Sequence, residues 1–287
     1  MKRIRVWCLV VLAVAASIGP ATAANKLGAR SAMNGLETQI KKHDWAAVGQ
    51  CQAAGSAAIA RVKPFLVDGD EVVRLLAVDC VVAAGGDEAP RLLVGALSDK
   101  HPQVRSNAVN GLYRHVPKTL ETEVLKVWDG TKDEFLKYQL PMVLGLTDNK
   151  VMVSELVKRL GVATTDESRI GLVVGLAKLG DARARTEFEQ RLLAAKGEEI
   201  KNRMVEVEYL DSAWVLPMLL PVLDHTEVAV DLSSHRTVLR RRGCDLAVDE
   251  VLRQRGDKFS FKPNPGGQYT DAQVSQVRQY LAGLVES

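Results

Sequence analysis

A basic residue returns at nearly fixed intervals along the chain: Arg74, Arg105, Lys137, Arg169 and Lys201, in steps of 31, 32, 32 and 32 residues. A period of this length marks a chain built from stacked copies of one small unit, a solenoid, in which no copy buries its apolar face alone. Apolar residues travel with the basic one. One position before it stand Val73, Val104, Leu136, Ser168 and Ile200, and three after it Ala77, Ala108, Leu140, Leu172 and Met204. Seven after it stand Val81, Leu112, Leu144, Leu176 and Glu208. Offsets of −1, +3 and +7 fall on one helical stripe, so each copy is expected to bury that stripe with the basic residue beside it. Ser168 and Glu208 depart from their columns.

End signals split each copy into two helices. Gly86-Asp87 and Gly180-Asp181 each read as a glycine past one helix and an aspartate capping the next. Thr131 with Glu134 reads as a capping box, and Pro102 suits a first helical turn. Repeats are expected near 50–86, 87–117, 118–148, 149–180 and 181–211, and Pro141 falls within a helix of the third. A sixth opens at Ser212 and uses Ala213 to Leu223 as a helix bent by Pro217 and Pro221. Residues 24–48 are expected to cap the first repeat, with Trp45 covering it, and 49–256 to hold the repeats. Residues 257–287 read as a loop and a capping helix. There Thr270 pairs with Gln273 as a capping box, and Val274, Val277, Tyr280, Leu281 and Leu284 form the apolar face.

Asp99 leads into Val104-Arg105-Ser106-Asn107-Ala108, and Gly175-Leu176-Ala177-Lys178-Leu179-Gly180-Asp181 closes a later copy; Ala84-Gly85-Gly86-Asp87 is a looser version. These segments resemble the short HEAT-like repeats of phycobilisome lyase subunits, over residues 50 to 255. The fold expected is therefore all-α, a right-handed α-solenoid of about six helical hairpins with a C-terminal capping helix. The resemblance also implies a ladder between neighbouring repeats, made by the basic residue and an aspartate six positions before it. Asp68 and Asp99 fill that place before Arg74 and Arg105; Thr131, Ala163 and Ala195 stand there before Lys137, Arg169 and Lys201. The five basic residues are expected to fix the register of the stack. Activity is not implied, because such repeats serve many unrelated binding roles.

Lys2, Arg3 and Arg5 precede an apolar run from Val6 to Ala16, then Pro20 and the small-residue site Ala21-Thr22-Ala23. Residues 1–23 thus read as a cleavable signal peptide of a bacterial protein bound for the periplasm or the outside. The run is shorter than the roughly 20 residues a spanning helix needs, so no transmembrane span is expected after cleavage. Cleavage removes three basic residues and no acidic one, and the net charge of +3 falls to zero. A neutral, exported chain is not built to grip nucleic acid. Cys51, Cys80 and Cys244 remain, an odd number that excludes complete pairing. Cys51 and Cys80 fall on adjacent helices of the first repeat and are expected to be buried free thiols rather than a bridge.

The sixth copy breaks the rhythm. Gly243-Cys244-Asp245-Leu246-Ala247-Val248 looks like another copy of residues 104–109, with Cys244 in the basic place but 43 residues after Lys201. About 11 extra residues therefore fall within Asp224 to Arg242, and solenoid insertions emerge on one face where they carry contacts. His225, Glu227, Asp231, His235, Arg240, Arg241 and Arg242 are the candidate partner-binding residues, the arginines being suited to paired hydrogen bonds with carboxylates. A solvated loop is the plainer alternative. His225, His235 and the carboxylates match no metal-ligand spacing, so neither metal nor cofactor is expected.

There is no Gly-x-Ser-x-Gly, no His-Glu-x-x-His, no glycine-rich phosphate loop and no Cys-x-x-Cys. The function expected is a non-enzymatic scaffold or adaptor of the cell envelope. It would hold another protein on the concave face of its second helices, helped by the insertion. The alternative is an envelope enzyme, or a ligand- or metal-binding protein, with its site in the sixth repeat. A chromophore-attaching role of the lyase kind fits badly with an export signal.

Overall fold

The apolar columns of the repeat are its core. Val73, Val104, Leu136 and Ile200 are each 1% exposed, and Ala77, Ala108, Leu140, Leu172, Val81, Leu112, Leu144 and Leu176 are fully buried. The computed structural model describes residues 35–231 and 239–286. The expected signal segment, Cys8 and His235 lie outside them. The chain divides into two units, Met1–Met152 and Val153–Ser287.

In the first unit, α1 (Leu36–Lys41) and α2 (Ala46–Ala54) lead into short turns around α3 (Ile59–Val62). Then come α4 (Glu71–Ala84), α5 (Ala89–Ala96), α6 (Pro102–Arg114), α7 (Glu121–Gly130) and α8 (Glu134–Gly145). The column helices α4, α6 and α8 pack side by side, with α5 and α7 as their hairpin partners. Close approach is built into the sequence: a Cβ added at Gly111 of α6 would sit 2.5 Å from Val82 and 2.8 Å from Leu93. Pro141 stays inside α8 and is buried.

The division falls within α9 (Val151–Leu160). The second unit continues with α10 (Asp166–Leu179), α11 (Ala182–Ala194) and α12 (Glu198–Leu210). After three 3-10 turns and a two-stranded ribbon, α13 (Gly243–Arg255) and α14 (Asp271–Val285) close it. Helix α10 packs on α11 and α12, α12 on α13, and α13 on α14. Ser168 holds its column place because its hydroxyl bonds Thr165, whose own hydroxyl caps α10. Gly180 adopts the left-handed C-cap expected of it, and Asp181 caps α11 through the N–H of Ala184. Thr270 and Gln273 form the capping box of α14.

Some local expectations shift. Asp133, not Thr131, caps α8, accepting from the N–H of Phe135, while Thr131 accepts from the N–H of Asp133. The box is thus replaced by two nested turns. Position Glu88, with no side-chain cap bond, precedes α5, so Asp87 does not cap it. Trp45 is 48% exposed rather than a lid on the first repeat. Ala213 to Asp224 is not one bent helix but three successive 3-10 turns, because Pro217 and Pro221 each lack an N–H and open a new turn. Cys51, Cys80 and Cys244 are buried and unbridged. No helix among the described residues is long and apolar enough to cross a membrane.

Candidate functional site

Within the insertion, the described residues on either side of 232–238 pair as a ribbon. β1 (Val228–Asp231) runs antiparallel to β2 (Arg240–Arg242), with Asp231 opposite Arg240 and a register shift between Val228 and Val230. Along β2 the side chains alternate in their surroundings. Arg240 is exposed and its Nε donates to Asp231 at 3.0 Å. Arg241 is buried, and its guanidinium donates to Asp249 and to the carbonyl oxygens of Asp245 and Pro265. Arg242 donates twice to the Asp245 carboxylate, at 3.1 and 2.8 Å, and once to the carbonyl of Tyr269.

Asp245 is fully buried and also accepts the backbone N–H groups of Arg242 and Tyr269. Burial pushes its carboxyl up, but the Arg242 guanidinium and these N–H groups outweigh burial and hold it below the usual carboxylate range. Two of the three arginines therefore fasten the insertion and the tail segment 265–269 onto α13. Among the described residues, Arg240 and Asp231 face outward, and beside them exposed Glu227 lies 3.0 Å from the Nδ1 of half-buried His225. Gly243 admits no side chain here, since a Cβ would lie 2.7 Å from that of His225. Among the described residues no three His, Cys, Asp or Glu side chains gather as a metal site.

The basic column forms a ladder in the first unit, with its rungs shifted by one repeat. Arg74 is 4% exposed. Its Nε and Nη2 grip both oxygens of Asp99, at 2.7 and 3.0 Å, while Nη1 donates to the carbonyls of Asp68 and Gly69. Arg105 repeats the pattern with Asp133 and the carbonyls of Asp99 and Lys100. The aspartate six places upstream thus lends its backbone, and the carboxylate comes from the following repeat. The carboxylate of Asp68 is gripped by Lys41, a lower rung that lies 33 residues before Arg74 and was within reach of the period. Asp133 escaped because Thr131 holds the expected place two residues earlier.

Further along, the rungs change. The Nζ of Lys137 sits 3.8 Å from the ring centre of Trp128 and donates to its carbonyl. Lys201 makes no ion pair with another described residue. Arg169 reaches instead to the adjacent helix α11, where its Nε and Nη2 grip Glu187 at 2.8 and 2.7 Å. Arg191 reaches the same carboxylate at 3.3 Å and Asp166 at 3.5 Å. With Arg183, Thr186, Gln190 and Ala194 they line an open cavity of about 600 Å³. Arg183, Glu187 and Arg191 recur every fourth residue, a helical face legible in the sequence but outside the repeat columns.

A second perturbed group lies where the columns failed. Glu208 stands in place of an apolar residue and is half-buried; burial, then the nearby Glu250 and Asp211, push its carboxyl up against the opposing pull of Arg253. Lys178 caps the end of α12, donating to the carbonyls of Tyr209 and Leu210. Burial lowers its ammonium below the usual range.

No protein-family model matches the sequence, and no curated protein matches it. Among solved structures, the chain is similar to the complex of CpcE and CpcF of phycocyanin lyase from Nostoc sp. PCC7120. The TM-score is 0.54 at 13% identity, over 92% of this chain and 98% of the other. The expectation that the chain is not an enzyme is corrected by this match: the same helical-repeat fold belongs to a lyase, so missing motifs of other enzyme folds do not exclude catalysis. The match and the buried columns together establish an all-α, HEAT-like helical-repeat fold of the solenoid class.

Proposed function

We propose that this chain works by holding a partner protein against its helical-repeat surface. The observation that carries the reading is the fold it shares with a complex of two proteins. Exposed Arg240 with Asp231, and Glu227 beside half-buried His225, supply polar contacts at the edge of such a surface. His235 belongs to the same segment. The signal-like residues 1–23 support a periplasmic or secreted site of action in a bacterium.

The test is capture with the tagged full-length protein from envelope extract, followed by separate production of the captured protein and sedimentation of the mixture. A complex of fixed ratio is expected, weakened by Arg240→Glu, which sets two carboxylates side by side. A chain that sediments alone with every purified candidate contradicts the reading. A second reading, a lyase-type reaction carried out on the bound protein, is favoured by the activity of the structural neighbour. Its mark is a chromophore that stays on the partner through denaturing electrophoresis only when this chain was present.

A further inference from the structure

We propose that the arginine-lined cavity on α10 and α11 is a binding site for an acidic segment of a partner protein. The proposal rests on the partner-holding reading and names the chemistry recognised. In the first unit each ladder arginine is saturated, with its carboxylate and two carbonyls supplied by neighbouring turns. Arg169 occupies the same column, but Ala195 stands where the next repeat would offer an aspartate. Its guanidinium turns outward, 43% exposed, onto Glu187.

Three features then converge. Arg169 uses Nε and Nη2 on Glu187, which leaves Nη1 open. Arg191 shares that carboxylate, so Glu187 is matched by two cations. Arg183, on the same wall, is exposed and makes no hydrogen bond or ion pair with any described residue. The cavity thus already shows the geometry with which its arginines take a carboxylate, and it has a guanidinium to spare for another. Planar guanidinium forks match carboxylates two bonds at a time. A volume of about 600 Å³ suits several side chains, far more than one small anion. Thr186 and Gln190 on the same wall add neutral hydrogen-bonding groups.

The experiment is calorimetric titration of the full-length protein with a glutamate-rich peptide, its glutamine counterpart and inorganic phosphate. The glutamate peptide should bind, more weakly as salt is raised, and the glutamine peptide should not. Arg183→Ser should weaken binding about tenfold or more, and Arg183→Lys less. Arg91→Ser, an equal charge change at an exposed arginine of the first unit, should leave it unchanged. Equal binding of the two peptides, indifference to Arg183→Ser, or equal loss with Arg91→Ser would each overturn the site. Phosphate binding as tightly as the glutamate peptide, with the same dependence on Arg183, would overturn the acidic-segment assignment. A reconstituted partner complex indifferent to Arg183→Ser would remove this site and leave the partner-holding function standing. Peptide binding without any partner complex would do the reverse.

Discussion

The first unit and the second carry the same basic column, yet they use it for opposite ends. Arg74 has a side chain 5% exposed and Arg169 one that is 43% exposed. Nothing in the two residues differs; what differs is the following turn, which offers Asp99 to Arg74 and Ala195 where Arg169 would need a carboxylate. A guanidinium is kept inside a repeat stack only where carboxylate and carbonyls replace its water. Where the carboxylate is missing, the same side chain moves to the surface and becomes available. Loss of a structural contact is thus one route by which a repeat gains a binding surface.

The largest expected effect separates the units. Arg74→Met should cost about 3–5 kcal/mol in urea unfolding, because it leaves the Asp99 carboxylate buried without its cation. Arg169→Met should cost less than about 1 kcal/mol, since the pair it breaks is partly open to water, which screens it. Similar losses from both would erase the contrast. In the second unit one comparable buried arrangement, around Asp245, lies outside the column's basic residues. Asp245→Ala should cost about 3–5 kcal/mol and release the tail segment near Tyr269 to limited proteolysis, for it strands Arg242 and two backbone N–H groups.

Packing in the first unit gives the next effect. Gly111→Ala should destabilise by about 1–3 kcal/mol, because Val82 is stiff and cannot yield the space its neighbour needs.

The smallest effect is one of pH, and the two units should again differ in sign. Burial raises the Asp99 carboxyl, but the Arg74 guanidinium and the N–H of His101 outweigh it and hold it below 3.8. Its contribution to stability is therefore full above the unfolded value and is lost as pH falls through the folded one. Glu208 is held above 4.5, chiefly by burial. Its protonated form favours folding below that value, and the contribution fades as pH rises through the folded pKa. Glu208→Gln should accordingly stabilise the protein by under about 1 kcal/mol above that window and change little below it. Stabilisation at acid pH alone would reverse the assignment.

The columns of the sequence displayed the core almost residue by residue, because burial on one face of a helix imposes a period that survives divergence. They also located the insertion. They did not disclose which partner each basic residue takes, since that depends on the turn one repeat later and tolerates a two-residue shift, as Asp133 shows. Nor did they separate Arg240 from Arg241 and Arg242. Three adjacent arginines look alike in sequence, whereas strand alternation and the returning tail bury one and bind another to Asp245. Pro217 and Pro221 were read as bends, but each removes an i→i−4 hydrogen bond and crowds the turn before it, and the segment closes in 3-10 turns instead.

The most direct measurement is a pair of double-mutant cycles, Arg74 with Asp99 and Arg169 with Glu187, read by urea unfolding of the full-length protein. A coupling of about 2–3 kcal/mol for the first pair and below about 1 kcal/mol for the second is predicted. Equal couplings, or a larger one at Arg169, would contradict the division of the column into a closed ladder and an open surface.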